Sequence, residues 1–242
     1  MKALEIQEFG IEKLALVERE MPQLGDDEIL VKLHAASLNY RDVMVVNGTY
    51  NPRMKLPAIP FSDGAGEVFA VGNNVTKWKV GTRVCSVVIP GWVDGGPTAE
   101  TAKSAIGAGK FDGVLREYAA FGEDAVVAMP EHLSFEESST LPCAAVTAWH
   151  ALVVSGKITS GDTVLTLGTG GVSIFAIQFA KLFGAKVIAT SSSDEKLAKA
   201  KQLGADETIN YREHEDWDKI VLELPRKPIA APTCSASVRS CA

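Results

Sequence analysis

Residues 164–176 read VLTLGTGGVSIFA. A β-branched apolar run stops at Gly168, passes through Thr169, Gly170 and Gly171, and resumes at Val172 as an apolar segment suited to a helix. Such a turn suits a phosphate. The first glycine permits the tight turn, and the second lets the backbone approach a pyrophosphate. The helix that follows offers free N–H groups and a positive partial charge. Ser173 stands where a third glycine is usual and is small enough for close helix–strand packing. The spacing alone is a weak signal, and a plain glycine turn is the bland alternative. Its place between a strand and a helix is what marks a dinucleotide fingerprint.

The end of the next strand decides which dinucleotide. A carboxylate there would take the ribose hydroxyls of NAD and repel a 2′-phosphate. The sequence VIATSSSDEKL instead has Ser191, Ser192 and Ser193, with Lys196 one turn into the following helix. Hydroxyls donate to phosphate, and a charge-assisted contact from lysine is worth about 1.5–3 kcal/mol. Asp194 dissents, and is expected to turn away along the first helical turn. In the alternative, Ser193 only caps the helix and Lys196 is solvated. The balance favours NADPH.

These residues need a particular scaffold. From Asp162 the pattern alternates: strand 163–167, helix 171–183, strand 186–190, helix 194–203, strand 206–209, helix 213–224. That alternation implies a parallel sheet with right-handed crossovers. Before about residue 130 the chain reads as short strands between turns, among them DEILVKLHAAS, GAGEVFAVG and GTRVCSVVI, which suggests a β-barrel or sandwich. Residues 91–113 read as a long surface loop. SFEESS begins with a helix-capping pattern, and a second helix starts near Pro142. The fold class is therefore α/β, divided as 1–125, 126–224 and an aberrant tail, 225–242. The tail carries three basic residues, no acids and two of the four cysteines. It is expected to be disordered and reads as sequence of a different origin.

Bulk composition narrows the function classes. The chain has 242 residues, 46% hydrophobic and 22% charged, with net charge −6. That is ordinary globular stock, and no basic run favours nucleic acid. No apolar run reaches the ~20 residues that span a bilayer, and acidic residues near the start stand where a secretory signal needs its apolar core. The expected setting is the cytoplasm, with a small-molecule substrate. Cys85, Cys143, Cys234 and Cys241 form no C-x-x-C pair, so no disulfide framework is expected. Cys85 and Cys143 read as buried, inert thiols, His150 as packing, and His34 as a strand residue without an evident partner.

The stretch GTGGVSIFAIQFAKLFGAKVIATSSSDEKLAKAKQLGADETINYRE, with SLNYRDV and GAGEVFAVG upstream, resembles the medium-chain dehydrogenase/reductases. Within them it is most similar to the zinc-independent quinone oxidoreductase branch. The resemblance covers residues 1 to about 224. It implies an N-terminal GroES-like β-barrel domain and a Rossmann domain, with substrate and nicotinamide between them. Zinc-containing relatives place a cysteine at Asn39 and a histidine–glutamate pair at Ser62-Asp63. Their structural zinc uses four cysteines where residues 91–113 have none. The resemblance thus implies no zinc. Without a Lewis acid, the acceptors are those that take hydride readily, quinones and double bonds conjugated to a carbonyl. It also implies that Asn39 lies beside the nicotinamide ribose, Tyr50 borders the substrate, and Thr147 approaches the nicotinamide. Ser192, Lys196 and Tyr211 flank the adenosine phosphate. Each has a structural alternative: Asn39 a turn, Tyr50 loop packing, Tyr211 cover for a strand edge.

After DKIVLEL the family pattern would add a fourth strand and two more strand–helix units, but Pro225 interrupts it. The expected sheet is an incomplete Rossmann half in the order 3-2-1, with strand 163–167 left as an exposed apolar edge. The family's homodimer contact uses strands from the absent part, which puts a dimer in doubt. Two functions follow. One is a zinc-independent, NADPH-dependent oxidoreductase acting on a quinone or an α,β-unsaturated carbonyl. The other is a catalytically impaired, nucleotide-binding or interaction remnant of such an enzyme.

Overall fold

The computed structural model describes residues 1–96, 98–224 and 228–230. The chain divides into two compact units, one of residues 1–143 and one beginning at Ala144.

In the first unit, β1 (Lys2–Ile6) and β2 (Leu14–Glu18) form an antiparallel pair. The main sheet contains β3 (Glu28–Ser37), β4 (Asp63–Val71), β5 (Arg83–Ser86), β6 (Tyr118–Gly122) and β7 (Val126–Ala128). It is antiparallel in the order β6-β3-β4-β5-β7. The two edge strands, β6 and β7, are consecutive and joined by a turn closed by Ala125 N–H donating to Gly122 O at 2.9 Å. In a flat sheet those edges would stand roughly 19 Å apart, four spacings of about 4.8 Å. A four-residue step reaches about 14 Å at most. The sheet must therefore roll up, which is the barrel curvature expected from the alternating strands. Ile29, Val31, Val68, Val84 and Val126 fill it.

Short helices decorate this sheet. α1 (Tyr40–Val46) buries Val45 and Val46 with Ile6 and Met54. The stretch read as a plain loop contains α2 (Ala99–Lys103), started by Thr98, whose hydroxyl accepts from Thr101 N–H. Ile106 beyond it is buried in the core. α3 (Phe135–Ser139) has the anticipated Ser134–Glu137 capping box. It also explains why the division lies at Cys143/Ala144 rather than 125/126. Phe135 stacks on His34 of β3 with centroids 4.4 Å apart, and Arg83 of β5 donates to Leu133 O at 2.6 Å. Strand periodicity ends before the sheet's packing partners do. His34 thus has an aromatic partner, whereas His150 is exposed rather than packed.

The second unit opens with α4 (Val146–Trp149), which continues as wide turns through His150–Ser155. Then come β8 (Thr163–Leu167), α5 (Gly171–Leu182), β9 (Lys186–Ser191), α6 (Asp194–Gln202), β10 (Glu207–Asn210) and α7 (Trp217–Glu223). The alternation matches the expectation to within a residue or two. The exception is α7, which starts later because turns closed onto Asn210 O occupy the preceding residues. Ala176, Ile177 and Ala180 of α5, on one helical face, are fully buried with Val164 and Val187.

Two expectations about the end of the chain are corrected. A short strand, β11 (Pro228–Ala230), pairs in parallel with β8, giving the order β10-β9-β8-β11. The β8 edge is therefore paired, and residues 228–230 of the expected tail are ordered. The backbone donors and acceptors of an apolar strand edge are satisfied by any extended segment within reach, whatever its side chains. The rest of that tail, including Cys234 and Cys241, lies outside the described residues.

Candidate functional site

Between β8 and α5 the turn has the form that a phosphate requires. Gly168 sits at φ +82°, a conformation that L side chains rarely adopt. Its N–H donates to Thr190 Oγ1 at 3.4 Å, and that hydroxyl donates to Thr166 O at 3.2 Å. The turn is thus tied to β9 as well as β8. Thr169 follows, and Gly170 is the N-cap of α5, with no side chain to cap it. The N–H groups of Gly171, Val172 and Ser173 have no carbonyl one turn back in the helix and point forward unpaired. A Cβ built at Gly168 or Gly170 would meet no heavy atom within 4 Å. The space over the turn is open, and the backbone itself is its floor. Val172 and Ser173 are buried beneath, and Ser173 Oγ donates to Leu167 O at 3.4 Å. The small residue in place of a third glycine packs as expected.

The ends of β9 and β10 assemble the second part. Asn210 pairs with Ser191 in the sheet, and Tyr211 N–H donates to Ser191 O at 3.1 Å. Ser191, Ser192, Lys196 and Tyr211 therefore share one corner of the unit. Ser193 caps α6 by accepting from Lys196 N–H at 3.5 Å. The bland reading of Ser193 holds, and Ser191 and Ser192 are left beside the corner. Asp194 is drawn off by Asn210, whose Nδ2 donates to Oδ1 at 2.8 Å, and Glu195 pairs with Lys199 at 2.9 Å. Both acids next to Lys196 are engaged. The Lys196 ammonium enters no salt bridge among the described residues.

Asn39 and Tyr50 belong to the first unit. Asn39 is the N-cap of α1, its N–H donating to Asp42 Oδ2 at 2.8 Å. Nearby lies Asp63, fully buried, accepting from Ser62 Oγ at 2.6 Å and from Cys143 N–H at 2.8 Å. The Asn39 carboxamide is close enough to help hold down the Asp63 pKa, although its Nδ2 lacks an aligned acceptor. Burial pushes both carboxyls up. Asp63 is raised against the opposing bonds from Ser62 and Cys143, and Asp42 is raised to about 6 by desolvation, against the Asn39 N–H and Arg41. Arg41 connects this cluster to Tyr50. Its guanidinium lies 5.1 Å from the Tyr50 ring centroid, Nη2 donates to Ile106 O at 3.0 Å, and Nη1 stands 3.9 Å from Asp42 Oδ1. Tyr50 itself is half exposed. Thr147 lies on α4 in the second unit, exposed on the helix surface.

Two residues of these sites escaped the sequence reading. Thr190 could have been suspected as a hydroxyl at the end of an otherwise apolar strand. Arg41 gave no such signal, because its partners are distant in sequence, and Asp63 entered the reading only as the residue at a replaced zinc position. Cys85 agrees with expectation: it is buried, its Sγ lies 3.6 Å from Ser138 O, and desolvation pushes its thiol up to about 11.

Residues 25–131 match the alcohol dehydrogenase GroES-like domain family, and residues 171–237 match the zinc-binding dehydrogenase family. A zinc-type alcohol dehydrogenase-like protein of Schizosaccharomyces pombe is 48% identical over 89% of this chain and 63% of its own length. A solved NAD-dependent alcohol dehydrogenase is 38% identical, with TM-score 0.83 over 93% of this chain and 67% of that one. The Escherichia coli quinone oxidoreductase solved with NADPH is 27% identical, with TM-score 0.76 over 91% of this chain and 62% of its own. The chain spans less than two thirds of the length of the curated relatives it matches.

Proposed function

The chain belongs to the medium-chain dehydrogenase/reductase superfamily of alcohol dehydrogenase-like and quinone oxidoreductase-like proteins, and on that premise we propose that it is a zinc-independent, NADPH-dependent oxidoreductase. The observation that carries the proposal is the open backbone floor at Gly168–Gly170, continued into the uncapped start of α5. A side chain at either glycine would fill the space that a pyrophosphate needs. Relatives of both cofactor types match, so the preference for NADPH rests on this chain's own corner. There Asp194 and Glu195, the two acids beside Lys196, are both engaged, by Asn210 and by Lys199. When bound, the nicotinamide supplies the hydride. The protein's part is to hold the dinucleotide, to orient the acceptor and to exclude water. Asn39, Tyr50 and Thr147 are the residues proposed to flank the nicotinamide and the substrate.

The relatives described as zinc-type raise the metal question for this chain. Its donor set answers poorly to zinc, which takes thiolate, imidazole or carboxylate in a set of three with an open position. Asn39 offers a neutral carboxamide, and Ser62 a hydroxyl already donated to Asp63. Asp63 has its second oxygen on Cys143 N–H. The proposed acceptors are therefore quinones and α,β-unsaturated carbonyls, which take hydride without Lewis-acid activation.

The test is oxidation of NADPH by the full chain with a benzoquinone and with an enone, each with and without a zinc chelator. Turnover that survives the chelator is the expected result. Turnover abolished by chelation and restored by zinc would overturn the metal-free reading. NADPH binding without turnover would leave a nucleotide-binding module in place of an enzyme.

A further inference from the structure

The first unit contains a cleft of about 840 Å³ that shares Tyr50 with the proposed substrate site and is otherwise lined by residues to which that chemistry gives no role. One wall is the segment from Tyr50 to Ala58. The other runs from Ala102 to Asp112. The two walls are fixed to each other: Asn51 Nδ2 donates to Ala108 O at 3.1 Å, and Arg41, stacked on Tyr50, donates to Ile106 O. The cleft is preformed rather than left to loop motion.

Its charge is opposite to that of the protein. The chain carries −6 overall, yet Arg53, Lys55, Lys103 and Lys110 line this cleft against a single acid, Asp112. That acid is engaged, with Oδ1 accepting from Ile59 N–H at 3.0 Å. Lys103 pairs with Glu100 on the outer surface at 2.8 Å. Arg53, Lys55 and Lys110 enter no salt bridge among the described residues. Arg53, Lys55 and Lys110 come into one cleft from segments fifty residues apart, with Glu100 and the Phe111 ring offsetting Lys110 in part, and an anion relieves the repulsion that remains.

We propose that this cleft binds a phosphate-bearing small molecule, a phosphomonoester or diphosphate. A monocarboxylate offers one charge and two oxygens. A phosphate dianion or diphosphate spreads two or more charges over several oxygens, which suits the fork of Arg53 together with two point charges from Lys55 and Lys110. The volume falls within the ~300–1,000 Å³ range of small-ligand pockets. A nucleic-acid strand would need an extended basic track, and here the cations are confined to one cleft in an acidic surface. The proposal does not depend on the nucleotide reading, because every group it uses lies between residues 41 and 112.

The experiment follows lysine acetylation rates by mass spectrometry in the full chain, with and without inorganic pyrophosphate. This readout separates the cleft from the glycine turn, which can itself take a pyrophosphate. Pyrophosphate is expected to slow acetylation of Lys55 and Lys110 saturably while leaving Lys79 unchanged. Arg53→Ala, at an exposed position, is expected to raise the half-protecting concentration about tenfold, the loss of one charge-assisted fork. Equal slowing of all lysines, or no slowing at Lys55 and Lys110, would overturn the site. Equal protection by succinate at matched ionic strength would overturn the phosphate class.

Discussion

Valine at Gly170 separates folding from binding. Gly170 has φ −76° and ψ 176°, an extended conformation open to any residue, and a Cβ there touches nothing within 4 Å. Folding should therefore tolerate Gly170→Val at a cost of about 1 kcal/mol, set by the preference for glycine over valine at an N-cap. The branched side chain instead occupies the space above the unpaired N–H groups at the start of α5. A pyrophosphate held by two of those donors gains about 1.5–3 kcal/mol from each. Losing both corresponds to roughly 3–6 kcal/mol, or about a hundredfold to ten-thousandfold in affinity. The measurements are NADPH titration by nicotinamide fluorescence and a urea midpoint on the same samples. A stability loss of no more than about 1 kcal/mol with lost binding is the expected pair. Normal NADPH affinity in a folded valine variant would refute the assignment of the turn as the pyrophosphate floor.

Lys196→Ala should weaken NADPH by about tenfold, the low end for an exposed charge-assisted contact, and leave NADH nearly unchanged; parallel titrations showing equal losses would move the 2′-phosphate site elsewhere. Asp42 gives a pH prediction. Its folded-state pKa of about 6 exceeds the ordinary 3.8, so the native state binds the proton more tightly, and stability falls as pH rises from about 4 through 6. Asp42→Asn keeps an acceptor for Asn39 N–H and removes the titration. Its advantage over the parent chain should grow by up to about 3 kcal/mol between pH 4 and 7. Urea midpoints that track each other across that range would mean the carboxyl is not desolvated as described.

The second unit was legible because its signals are local. The strand and helix periods are each complete within a dozen residues, and Ser191, Ser192, Lys196 and Tyr211 follow from the ends of two adjacent strands. What remained hidden depended on partners far apart in sequence. The β8–β11 pairing uses backbone groups that no side-chain pattern advertises. The division after Cys143 depends on α3 gripping β3 and β5 through Phe135 and Arg83. Arg41 gains its place only when Tyr50 and Ile106 arrive beside it. The cationic cleft joins residues near 53 with residues near 110, each unremarkable within its own segment. Asp63 is marked in the sequence only by its place in the Ser62-Asp63 pair, and its burial and the bond from Cys143 N–H appear only in the fold.

The central claim is that this chain holds NADPH through the glycine turn and the β9–β10 corner. Its most direct test is titration of the 242-residue chain with NADPH and with NADH, followed by nicotinamide fluorescence. The account predicts saturable binding of NADPH, tighter than NADH by about tenfold or more. Tighter binding of NADH, or no binding of either by a folded chain, would contradict it.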